Sequence, residues 1–392
     1  MDILNYVFPN DIHAHWTLMI VIYPYITGVV AGAFIVSALA HVFHVKALMP
    51  VAKFALIFAL SWLLFVTAPL LNHLGHPERA LNMLFTPNFV GPSMMSGFGY
   101  IYMAYSILLI FEILVIYRYE LTMLKKSATG VKKVIYSLLT LGTNDESMEG
   151  RKRDSKVAFV MASIGIPLAC SLHGYVGFIF GAVKTVDWWF TPLMPIIFLL
   201  SASVSGIAGM ILFYIAIKKI TGKISEIKTE TIKTMVQLLW TFFIFDFLFE
   251  MIELSVHAYG GTEGWHIISS ALNGPLNWSF WTMQVKLLSL VPFVILMWLS
   301  LAKVSRSTLL IVGPIVSFML LAQVLFMRWN VVIGGQIMAK SERGFATYHP
   351  QFFEKEGILV TIIMLVAPIV TLWLLSKIFP LWESKYDNEF TH

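Results

Sequence analysis

Trp16-Thr-Leu-Met-Ile-Val-Ile-Tyr-Pro-Tyr-Ile-Thr-Gly-Val-Val-Ala-Gly-Ala-Phe-Ile-Val-Ser-Ala-Leu-Ala-His-Val-Phe43 contains no Asp, Glu, Lys or Arg from end to end. A helix rises about 1.5 Å per residue and a bilayer core is roughly 30 Å thick, so about 20 apolar residues are enough to cross it. A helix that is apolar on every side must be buried in protein or in lipid. No basic segment precedes this run and no A-x-A-like end follows it, so the sequence predicts a retained first membrane helix.

Eight further apolar runs follow, near residues 49–71, 93–117, 157–182, 189–217, 232–258, 277–301, 307–331 and 357–380. The 392 residues are 58% hydrophobic and 12% charged, and the mean hydropathy is +0.78. Soluble domains carry about twice that share of charge, which excludes a water-soluble globular protein. The predicted fold class is all-α: a polytopic membrane protein with nine transmembrane helices.

The charges also set an orientation. With the N-terminus outside, 20 Lys and Arg fall in the inner connections and 5 in the outer ones, with Lys286 and Arg328 inside spans. That asymmetry is a positive-inside signal, so the C-terminus is expected in the cytoplasm. The excess of 27 basic over 22 acidic residues reflects this topology, and nucleic acid is not an expected partner. The longest inner loop, 118–156, is too short for a folded domain, and its amphipathic stretch Val131 to Leu141 is expected at the lipid interface. Cys170 is the single cysteine. The chain therefore offers no disulfide and no thiolate set for zinc or an iron–sulfur cluster, and no metal site is predicted.

Span six carries the sharpest polar pattern. Asp246, Glu250, Glu253 and His257 stand at i, i+4, i+7 and i+11, which places all four on an arc of about 60° over roughly 16 Å. A carboxylate in mid-bilayer costs several kcal/mol unless it is paired, protonated or hydrated, so this face meets protein or water. Lys286 in span seven and Arg328 in span eight are the cations at similar depth. The pattern fits a salt-bridge cluster that orients spans six to eight, and it equally fits a proton-conducting row opening outward. Gln237 points about 180° away from Asp246, so this helix does not continue the row to the inner face.

Three other regions carry polar groups. The connection after span two, Ala68-Pro-Leu-Leu-Asn-His-Leu-Gly-His-Pro-Glu-Arg79, continues through Thr86-Pro-Asn88 to Gly91-Pro-Ser-Met-Met95 and reads as a stiff polar cap. It suits a docking surface or a lid, as well as an ordinary ordered loop. Span four has His173 and Tyr175 beside Gly177-x-x-x-Gly181, a spacing that permits close helix approach. His173 can exchange a proton near neutral pH or serve as a satisfied core histidine. Span one holds Tyr23-Pro24-Tyr25, with Gly28-x-x-x-Gly32 behind it. Glu112, near the inner end of span three, is given no role.

These motifs resemble the integral membrane subunit of the polysulfide reductase, or NrfD-like, family. The resemblance runs through Tyr23-Pro-Tyr-Ile-Thr-Gly, Leu74-Gly-His-Pro-Glu-Arg79, Leu172-His-Gly-Tyr-Val-Gly-Phe178, Trp189-Phe-Thr-Pro-Leu-Met-Pro-Ile-Ile-Phe198 and Ser203-Val-Ser-Gly206. It implies two four-helix bundles plus one additional helix in a single membrane domain. The first bundle, 1–183, would hold the quinone site, the second would cover 184–331, and an outer loop, ninth helix and inner tail would fill 332–392. It also implies a quinone-reactive anchor without haem or iron–sulfur of its own, taking menaquinone or ubiquinone in a bacterial cytoplasmic membrane. An iron–sulfur subunit and a catalytic or multihaem cytochrome subunit would sit on the outer face.

Carried over by position, His173 and Tyr175 would be the reactive pair. Tyr23, Tyr25, His73, His76 and Arg79 would form the pocket or its rim. Asp246, Glu250 and Glu253 match the family's acidic second-bundle helix, and with His257, Lys286 and Arg328, which the spacing and depth of spans six to eight supply, they are the expected proton pathway. Two alternatives remain at this point: a di-haem b-type anchor ligated by His173 and His257, and a proton-coupled transporter built on the carboxylate row. The His73-Leu-Gly-His76 sequence and a ninth span depart from the family pattern.

Overall fold

The computed structural model describes residues 14–85, 94–140, 142–261, 263–338 and 344–382. Nine helices among them are long and apolar enough to cross a membrane: α1 (Leu18–His41), α2 (Lys46–His73), α3 (Met94–Ser127), α4 (Met148–Gly181), α5 (Met194–Ile220), α6 (Thr229–Gly260), α7 (Trp278–Leu301), α8 (Arg306–Ile337) and α9 (Ile358–Leu375). Of the described residues 79% are helical, and Met338–Phe345 is an isolated bridge. It is a multi-pass, all-α membrane protein. The stretch 86–93 of the expected polar cap, together with Lys340 and Arg343, lies outside the described residues.

Helices α1 to α4 close on one another as a four-helix set, and α5 to α8 close as a second. The two sets meet mainly where α1 packs on α5. In α1, 94% of the apolar window is buried, as expected of a helix apolar on every side; for α9 the figure is 11%. The α1–α5 crossing brings backbones together. A Cβ on Gly32 would lie 2.7 Å from Gly206 Cα, so only glycine allows the approach. Gly177 does the same between α4 and α5, where a Cβ would lie 2.6 Å from the Met194 carbonyl oxygen.

The ninth helix is tied to the first bundle at both of its ends. Before it, the segment 344–357 lies over the start of α1 and the end of α2. The Ala14 amide donates to the Thr347 carbonyl (3.2 Å) and the Leu18 amide to Tyr348 Oη (2.9 Å). His73 Nδ1 meets Glu356 Oε2 at 2.7 Å, and Asn72 donates to the Lys355 carbonyl at 2.7 Å. This face of the molecule is the strap end. After α9, Trp382 stacks on Phe54 with centroids 5.6 Å apart, under Lys218 Nζ at 4.2 Å, and this opposite face is the basic end.

Two further surface helices stand out in the described chain. Gly130–Leu139 follows α3 at the basic end and exposes Val131, Val134 and Leu138 along one side, as the amphipathic pattern predicts. Glu263–Asn273, between α6 and α7, was not expected. The first half of α7, Trp278–Leu290, is wound as a π-helix, a rare wide form frequent at functional sites.

Candidate functional site

His173 occupies the junction of the two bundles. It lies on α4, fully buried, with its Cε1 facing Gly28 of α1: a Cβ at Gly28 would stand 3.2 Å from it. Its Nε2 is 3.1 Å from Arg328 Nη2, which comes from α8. The same guanidinium nitrogen donates to Ser201 Oγ (2.6 Å) and to the Phe198 carbonyl (3.3 Å) on α5, and the group lies 3.7 Å from the Phe198 ring centroid. Guanidinium only donates, so Nε2 accepts and the ring proton sits on Nδ1. That Nδ1 is buried with no partner.

Two phenols of the first bundle share this condition. Tyr23 Oη on α1 and Tyr105 Oη on α3 are buried without a hydrogen-bond partner. Tyr23 packs edge-on against Phe98 (5.2 Å) and Tyr105 against Phe34 (5.6 Å). Three helices therefore each carry one unspent donor, at different depths: Tyr23 packs at the level of Phe98, and Tyr105 stands seven residues, about 10 Å, further along α3. Leaving such a group unpaired costs about 1–3 kcal/mol each, which is expected where a ligand atom completes the bond.

The second bundle handles its polar groups differently. Ser279 Oγ donates to Asn330 Oδ1 (2.6 Å), Asn330 Nδ2 to Gln284 Oε1 (2.7 Å), and Gln284 Nε2 to Glu250 Oε2 (3.0 Å). The chain of bonds links α7 and α8 to α6. Beside it lies a cavity of about 30 Å³ lined by Glu250, Glu253, Gln284 and Asn330 among others, room for one or two waters. Glu253 continues the row to His257 at 3.1 Å. Asp246, at the other end, is fully buried with both oxygens unpartnered. Arg328 is within electrostatic reach of Asp246 and Glu250.

The other expected residues sit elsewhere. Tyr175 is half-buried on a different side of α4 from His173, and its hydroxyl fills the space beside Gly97 on α3. Tyr25 is buried on α1, two residues and so about 200° round from Tyr23. His73 is held by Glu356, while His76 pairs with Glu78 at 2.9 Å on the exposed surface and Arg79 is exposed. Among the described residues, no hydrogen bond or ion pair ties these three to the buried donors. In the strap, burial raises the Tyr348 phenol, and the carboxylates of Glu356 and Glu354 add to the effect. Lys286 is exposed on α7 and makes no ion pair with the α6 row. Of the proposed haem ligands, His173 Nε2 is taken by Arg328 and His257 by Glu253.

Sequence reasoning missed Tyr105, Ser201, Gln284 and Asn330. Gln284 and Asn330 carried a legible signal, since amides inside apolar runs need partners. Tyr105 and Ser201 carried none, because neither residue type is unusual in a span.

The family model described as "Polysulphide reductase, NrfD" matches residues 9–340. A selenate reductase subunit from Mesobacillus selenatarsenatis is 28% identical over 97% of this chain and 89% of its own length. A putative dimethyl sulfoxide reductase membrane subunit from Halobacterium salinarum is 28% identical over 66% of this chain and 56% of its own. The chain belongs to the NrfD polysulphide reductase family, whose relatives here are membrane subunits of reductase complexes.

Proposed function

We propose that this NrfD-family chain is the quinone-reactive membrane subunit of a respiratory reductase. It would exchange electrons with an iron–sulfur or cytochrome subunit docked at the strap end. The observation that carries this reading is the set of three buried, unspent donors, Tyr23 Oη, Tyr105 Oη and His173 Nδ1, inside one apolar bundle. A menaquinone or ubiquinone head presents two carbonyl acceptors and, when bound, supplies two-electron, two-proton chemistry. O–H and N–H groups without a partner are the chemistry that such acceptors require.

In this reading, Arg328 holds His173 in the Nδ1–H tautomer and aims that proton inward. The phenols orient the ring and the aromatic neighbours Phe34 and Phe98 exclude water, so each donor bond counts for more than in bulk solvent. Tyr175, half-buried against Gly97, lies at the edge of this interior. His73, His76 and Arg79 then belong to the docking face. The positive-inside asymmetry supports an orientation with that face outside the bacterial cytoplasmic membrane. The α6 row, from Asp246 to His257, carries protons toward it. His173→Ala in the intact complex should lower quinone-linked turnover by about 100-fold, the scale of a lost acid–base group. Full turnover would contradict the site.

A further inference from the structure

The basic end of the molecule carries cations that the fold does not use. Arg151, Lys152, Arg153 and Lys156 stand in and just after the first turn of α4. That is the positive end of the helix dipole, where cations are disfavoured and anions are held. Most acids of the same connection are occupied. Asp145 faces Arg153 at 3.7 Å, Glu146 pairs with Lys126 at 2.7 Å, and Asp154 pairs with Arg118. Arg151 lies over the Tyr119 ring at 4.5 Å. Lys152 and Lys156 are exposed without an ion-pair partner among the described residues, and the exposed Glu149 pairs with neither.

A second observation falls beside these lysines. His44, in the turn between α1 and α2, has a φ of 53°, in the left-handed region where glycine costs least. It is exposed, and its imidazole lies 9° from parallel with the Phe159 ring of α4, the centroids 6.4 Å apart. Phe159 comes three residues after Lys156 and seven after Lys152. At 100° per residue both lysines lie within about 60° of it, roughly one and two turns nearer the basic end. Lys46, two residues beyond His44, is also exposed and unpaired among the described residues. The seam between the α1–α2 turn and the start of α4 is thus lined by an imidazole and lysines.

The surface below the lysines decides the ligand. From residue 157 to the end of α4 there is no Asp, Glu, Lys or Arg. Val157, Phe159, Val160 and Ile164 are exposed on that helix, as is Phe43 beside His44. A ligand of this seam must offer negative charge at the level of Lys156 and hydrocarbon beneath it. A soluble anion lacks the hydrocarbon, and an anionic phospholipid has both.

We propose that this seam binds the headgroup of an anionic phospholipid in the leaflet at the basic end. The phosphate meets Lys156, Lys152 and the edge of His44, and the acyl chains run along Phe43, Phe159 and Val160. The lysine stems cover apolar surface while their ammonium groups reach the phosphate. The left-handed turn then has a use: glycine there would make the same bend but would present no ring N–H at headgroup level. The site uses none of the residues assigned to quinone or to the docking face.

The test is photolabelling of the intact complex in mixed micelles with a phosphatidylglycerol that carries a diazirine in its acyl chain. Label should fall on peptides containing Phe43 or residues 157–164. Unlabelled phosphatidylglycerol should compete for that label about tenfold better than phosphatidylcholine of the same chains, since one lysine near an anionic surface is worth about fivefold. Lys152→Gln with Lys156→Gln should lower the label about tenfold and remove the difference between the competitors. Lys132→Gln with Lys133→Gln, on the surface helix, changes net charge equally and should leave the label within about threefold of the unmodified complex. His44→Gly keeps the turn, should lower the label about threefold, and should not lower the melting temperature. Equal competition by the two lipids, or an equal loss in both double variants, overturns the site. So does full label in Lys152→Gln with Lys156→Gln. Displacement of the label by excess inorganic phosphate would mark a soluble-anion site and overturn the lipid.

Discussion

Both four-helix bundles bury unpartnered polar atoms, but only α5–α8 also builds a bonded series of side chains beside a cavity. In α5–α8 Ser279, Asn330, Gln284 and Glu250 are bonded in series, while both oxygens of Asp246 and the side-chain amide of Gln323 have no partner. In α1–α4 the hydroxyls of Tyr23 and Tyr105, the Nδ1 of His173 and both oxygens of Glu112 find none. A satisfied network fixes a structure, while an unsatisfied one awaits something. The difference lies in the bonded series of the second bundle, which the first bundle lacks, with Arg328 reaching from the second into the first.

Removing that link should have the largest effect. Arg328→Ala deletes a fully buried cation, leaving His173 Nε2, Ser201 and the nearby Asp246 uncompensated. Breaking a buried charge arrangement costs about 3–5 kcal/mol. The variant should unfold at a clearly lower temperature in detergent and lose quinone-linked turnover; a stable, active variant would erase the contrast between the bundles. A smaller effect is expected from Gln284→Leu, which strands Glu250 and Asn330 and should cost about 1–3 kcal/mol. Gln284→Leu combined with Asn330→Leu should recover part of that loss in a thermal melt. Strict additivity would show that the chain of bonds does not act as a network.

Much of the architecture could be read in the sequence because a bilayer leaves few choices. Runs of about 20 apolar residues must be helices, and the glycines at 28, 32 and 177 marked crossings that the structure shows as close contacts between helices. The α6 row was legible for the same reason, since its spacing fixed a single face. Side-chain partners across helices were not legible. Arg328 seemed a match for carboxylates alone, yet its direct bonds go to His173, Ser201 and Phe198, because helical spacing gives a direction on one helix and says nothing of which neighbour waits there. Lys286 was placed with the row by depth, but it turns outward. Glu112, given no role from its place near the inner end of span three, is buried completely by the packing of α3. The π-wound start of α7, which presents Ser279 and Gln284, has no sequence signature.

The central claim is that the quinone sits among α1, α3 and α4 and not in the second bundle. Photolabelling the intact complex with an azidoquinone, followed by peptide mapping, tests it most directly. The account predicts label within Leu18–His41, Met94–Ser127 or Met148–Gly181, displaced by excess quinone and reduced in Tyr23→Phe. Label confined to peptides of α5 to α8 would contradict it.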